Sequence, residues 1–130
     1  MWTRFCVALG LIFTILAAGM LILRHIEGTC AGIEASLSAA LDTAPELGSG
    51  PSRDVPSALL DAHAQWERGL PVFCTYVIHD QVDTVGEAFH RALGHYEGGD
   101  WGEYRATLRE LLFRIDLIAH YDRPTVRSVF

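Results

Sequence analysis

YEGGDWGEY, residues 96–104, decides the fold. Two glycines and an aspartate stand here between two segments of periodic apolar residues. Upstream, Val82, Val85, Phe89, Leu93 and Tyr96 recur at spacings of three and four; downstream, Trp101, Tyr104, Leu108, Leu111, Ile115 and Ile118 do the same. Side chains three and four apart share one face of an α-helix, so each segment presents one apolar stripe. The pattern predicts a helix over 80–96, a left-handed cap at Gly98, and a second helix from Trp101 to about Tyr121. Asp100 and Glu103 form a D-x-x-E capping box for the second helix. A link this short joins antiparallel neighbours, and the two helices are expected to form a hairpin.

Working upstream, Leu59, His63, Trp66, Leu70, Phe73 and Val77 continue the helical period. They predict a helix that starts near Asp54 or Ser57, with Pro56 suited to its first turn. Pro71 lies inside this pattern. Proline lacks the backbone donor and crowds the preceding turn, so a kink or short break is expected at Gly69-Leu70-Pro71. Before that helix, TAPELGSGPSRDVP, residues 43–56, carries three prolines and two glycines and reads as the one substantial loop. Further upstream, Ile26, Cys30, Ile33, Leu37 and Leu41 form another apolar stripe. No strand pattern competes, and the class is all-α. Trp66, Phe89, Trp101, Leu108, Leu111 and Ile115 are the expected core. The closing TVRSVF, residues 125–130, is expected to fold back on the bundle.

The amino-terminal segment is of another kind. FCVALGLIFTILAAGMLIL, Phe5 to Leu23, contains no charged residue. As a helix it spans ~28 Å, about the hydrocarbon thickness of a bilayer. Trp2 on one side and Arg24 with His25 on the other suit the two interfaces. Ala17-Ala18-Gly19 resembles a signal-peptide cleavage site, but Met20 to Leu23 extend the apolar run beyond it, which favours an uncleaved anchor. The expected organisation is an anchor over 1–24, then an antiparallel bundle of three or four helices over 25–130. Arg4 precedes the span and Arg24 follows it, so flanking charge is nearly silent on orientation. A four-residue tail usually stays in the cytoplasm, and the domain is expected outside the cell membrane.

The chain carries sixteen acidic residues and ten arginines, with no lysine, for a net charge of −6. Such a surface is repelled by phosphate backbones and by anionic lipid headgroups, and nucleic acid is not an expected partner. Phosphate-loop and dinucleotide motifs are absent from the sequence. No local frame organises a Ser/His/Asp or Cys/His set. Catalysis is not expected, and no cofactor is.

Two constellations hold ligating chemistry. His79, Asp83, Glu87 and His90 follow at four, four and three. On a helix they fall within an arc of about 80°, centred roughly 125° from that helix's apolar stripe. Two imidazoles and two carboxylates suit zinc or another transition metal. A solvated helix face carries the same pattern, and is favoured because no enclosing shell is legible. Cys30 and Cys74 are the second pair. Counted from the loop, they stand ~24 Å and ~28 Å along their helices, so antiparallel packing brings them level and a disulfide is open to them. Two small buried apolar side chains are the other reading.

The second half also resembles a bacterial family catalogued as domain of unknown function 4363. The resemblance rests on Trp66 with Glu67 and Arg68, Ile78-His79, Val82-Asp83, and the spaced Val85, Leu93 and Tyr96. It continues through Gly99-Asp100, the Leu108, Leu111 and Ile115 ladder, and Val129-Phe130. It implies a membrane helix with a small helical domain and names no activity. The expected function is a single-pass scaffold that engages a protein partner or its own copies. A metal-binding or metal-sensing domain is the alternative.

Overall fold

The computed structural model describes residues 1–50 and 54–120, and the expected docking of residues 125–130 lies outside them. Among the described residues four helices follow in order: α1 Trp2–Asp42, α2 Ser57–Tyr76, α3 His79–Gly98 and α4 Trp101–His120. No strand occurs among the described residues. The all-α expectation holds.

α1 is a single helix of 41 residues with two environments. Its lower part, through Leu21, is exposed apart from the half-buried Ala17. From Ile26 onward, Ile26, Cys30, Ile33, Leu37 and Ala40 turn inward. The change of environment falls where the apolar run ends and charge begins. The membrane-length segment therefore passes into the bundle without a hinge.

α1 packs against α2 and α4, and α4 against α3, while α2 and α3 stand further apart. Large rings fill this wider seam. Trp66 stacks on Phe73 with centroids 4.7 Å apart, and its ring lies 6.4 Å from Phe89. All six expected core residues are buried, from Trp66 to Ile115. Burying a side chain of this kind is worth about 1.5–3 kcal/mol relative to exposure. Across the outer α3–α4 seam, Glu110 pairs with Arg91 at 3.1 Å and with Arg114 at 3.0 Å. Partial burial alone raises its carboxyl, but the two arginines outweigh that and hold it below the usual range.

Two local expectations are corrected. The first is the break at Pro71: α2 runs unbroken from Ser57 to Tyr76. Proline costs one backbone bond, but here the next turn is held by packing, since Phe73 lies across Gly69 and stacks on Trp66. The true break comes at Val77 and Ile78, both extended. The second is the α3 cap. Gly98 is the last helical residue, and Gly99 takes the left-handed conformation at φ 71°. The Gly99 amide donates to Tyr96 and the Asp100 amide to His95, the paired bonds of a Schellman ending. With two adjacent glycines, the helix takes one more residue before turning. Asp100 and Glu103 keep their places, just before α4 and in its first turn.

Candidate functional site

His79, Asp83, Glu87 and His90 are all exposed on α3. Among the described residues, no group of three metal-ligating side chains converges. The four side chains share one exposed stripe, which provides ligands from one side only. The exposure of all four side chains fits the solvated face favoured from the sequence. His90 does meet α2, where its ring lies 5.9 Å from that of His63. His63 is partly buried against Phe89 and pairs with Glu67 at 3.2 Å.

The Cys30–Cys74 pairing is corrected. Both thiols are free; Cys30 is buried and Cys74 exposed. α2 turns Phe73 into the seam, and the next residue, Cys74, is rotated ~100° away from it. Burial, then Glu34 and Glu27, pushes the Cys30 thiol up to about 12, so it is protonated and unreactive at neutral pH.

The two ends of the bundle differ in construction. At the upper end, three aromatic rings meet edge to face: Tyr96 with Trp101 at 5.0 Å, Tyr96 with Tyr104 at 5.2 Å, and Trp101 with Tyr104 at 5.9 Å. They also fasten the loop between α1 and α2. The Trp101 indole donates to the Ser49 carbonyl at 2.8 Å, and the Tyr96 hydroxyl to that of Asp54 at 2.8 Å. Arg105 donates to Ala44 at 2.9 Å and Pro45 at 2.7 Å. Sequence reasoning took Trp101 as core, placed Tyr96 at the end of the α3 apolar stripe beside the hairpin tip, and missed Arg105. An arginine beside a tyrosine on an amphipathic helix carries no mark of the carbonyls it will meet.

At the lower end, α2 descends antiparallel to α1 and reaches the top of the apolar run. Two openings lie along the α1–α2 seam. The upper one, about 250 Å³, is lined by His25, Thr29, Gln65, Arg68 and Gly69. The lower one, about 180 Å³, is lined by Gly19, Ile22, Leu23, Ile26 and Tyr76. Gln65 spans the seam above them and donates to Ser36 at 3.0 Å; its amide lies where a side chain on Gly32 would stand. Tyr76 is 50% exposed and Ile78 54%, so the α2–α3 turn presents apolar groups at this level. Sequence reasoning named His25, Ile26 and Gly69 in other roles and did not join them to Arg68 or Tyr76, because antiparallel pairing alone brings them together.

Neither known families, curated proteins nor solved structures yield a match to this chain. Among the described residues one helix, α1, is long and apolar enough to cross a membrane, and its most apolar stretch is not buried. A signal sequence passes the same test.

Proposed function

We propose that the chain is a single-pass membrane protein whose helical domain lies outside the cell membrane and engages another protein without catalysing a reaction. The observation that carries this reading is the unbroken course of α1, from an unpartnered apolar segment into the packed core. A helix without a hinge holds the bundle at fixed height and tilt over the membrane, as a scaffold requires. The protein-binding surface we assign is on α4. Phe113 is 63% exposed and Leu117 39%, and they stand one turn apart on the side away from the core. An i, i+4 apolar pair is the usual anchor of helix recognition. Membership of the membrane-anchored family catalogued as domain of unknown function 4363 is part of this proposal and adds no activity to it; no family model matches the chain.

The test is photocrosslinking in living cells, with a benzophenone amino acid replacing Phe113 in one variant and Glu87 in another. A discrete protein adduct from position 113, absent from 87, is the expected result. Equal yields, or none at 113, would remove α4 as the binding face. The side of the membrane is read separately, by labelling exposed Cys74 with an impermeant thiol reagent. Labelling of intact cells without reductant is expected; labelling only after lysis would place the domain in the cytoplasm.

A further inference from the structure

We propose that the lower end of the α1–α2 seam is a phospholipid site, with the headgroup phosphate in the His25–Thr29–Gln65–Arg68 opening and Tyr76 and Ile78 below it in the glycerol and upper acyl layer. The proposal rests on α1 spanning the membrane.

Height is the first argument. Tyr76 shares its opening with Gly19, Ile22 and Leu23, which belong to the apolar run. If that run occupies the hydrocarbon core, Tyr76 stands at its edge, where an apolar ring with a polar tip is favoured. The α1 residues of the upper opening lie on average ~7 Å further along the helix, which places it among the headgroups. One opening is apolar and the other polar, in the order in which a phospholipid presents its parts.

Charge is the second argument. The chain as a whole is acidic, at −6. The upper opening nevertheless carries the Arg68 guanidinium and the His25 imidazole, and no carboxylate lines it. Arg68 makes no ion pair among the described residues. The nearest acids in sequence point elsewhere: Glu67 is paired with His63, and Glu27 lies roughly 160° around α1 from the line of His25 and Thr29. A planar guanidinium without a carboxylate partner suits a phosphate, with the Gln65 amide and the imidazole as further polar neighbours.

Inorganic phosphate shares the headgroup's chemistry, but the apolar opening beneath favours the lipid. The full chain, purified in a mild detergent, is mixed with phosphatidylglycerol and examined by native mass spectrometry. One retained lipid per chain is expected, with retention falling about tenfold or more in Arg68→Gln and in Tyr76→Ser, and partly restored in Arg68→Lys. Unchanged helicity and melting temperature show that the variants fold. Equal retention by all variants would overturn the proposal. So would Arg68-dependent stabilisation by millimolar inorganic phosphate that matches the effect of the lipid. Alkaline extraction of cell membranes tests the span separately: release of the chain would sink the anchor itself, whatever the lipid result.

Discussion

The upper and lower ends of this bundle are closed by different means. Above, Tyr96, Trp101 and Tyr104 pack edge to face, and the loop carbonyls of Ala44, Pro45, Ser49 and Asp54 accept from side chains of α3 and α4. Below, the α2–α3 turn is two extended residues, Tyr76 and Ile78 are exposed, and the seam is open. A chain that faced water on all sides would gain by covering Tyr76 and Ile78 as it covers Trp101. The contrast is explained if the protein seals one end and the bilayer the other.

That contrast orders the expected effects of mutation. The largest belongs to Trp101→Ala. It removes a side chain that is 2% exposed and leaves the Ser49 carbonyl without its donor, so stability should fall by about 3–5 kcal/mol in denaturant unfolding of the detergent-solubilised chain. Next comes Arg105→Ala, which strands two loop carbonyls and should cost about 1–3 kcal/mol. Limited proteolysis should then cut within residues 43–56 faster than in the parent chain. Unchanged cleavage would mean that Arg105 does not hold the loop.

Tyr104 gives a smaller and more diagnostic effect. Its hydroxyl is buried without a hydrogen-bond partner among the described residues. Burial, then the neighbouring Tyr96, pushes its pKa from 10.0 to about 12. Folding therefore favours the neutral phenol. Its contribution is complete below pH 10 and is lost as pH rises toward 12, while the Cys30 thiol adds a loss over 9 to 12. Tyr104→Phe should be neutral or stabilising by up to about 1 kcal/mol at pH 7 and should flatten the alkaline decline to the share of Cys30. An undiminished decline would show that the hydroxyl is solvated. The smallest effect is expected below: Tyr76→Ser should change the stability of the bundle in detergent by less than about 0.5 kcal/mol, because half of the ring is already exposed. A larger loss would mean that Tyr76 belongs to the protein core.

The elements were legible where one strong local pattern spoke alone. The stripes of α3 and α4 carry no interruption, and the core from Phe89 to Ile115 followed from spacing. Legibility failed where tertiary packing outweighed a local rule, as at Pro71, where the Phe73–Trp66 stack carries α2 through. It failed by one residue at Gly98 and Gly99, since either glycine can take the left-handed turn. One residue also separated Cys74 from the seam position held by Phe73. The α3 stripe was legible as a face, and its meaning depended on whether another helix faced it. The lower seam was not legible at all: His25 and Arg68 are 43 positions apart and meet only after α1 and α2 pair.

The most direct test of a bundle closed below by lipid is the depth of that lower turn. A nitroxide is attached at Tyr76→Cys, and separately at Glu97→Cys, in the full chain reconstituted in bilayers with Cys6 and Cys74 replaced by alanine. Power-saturation electron paramagnetic resonance then compares access to oxygen with access to a water-soluble nickel complex. Position 76 should be reached by oxygen and shielded from nickel, and position 97 the reverse. Equal and full access of nickel to both positions would show that the lower end stands in water, and the contrast between the two ends would lose its cause.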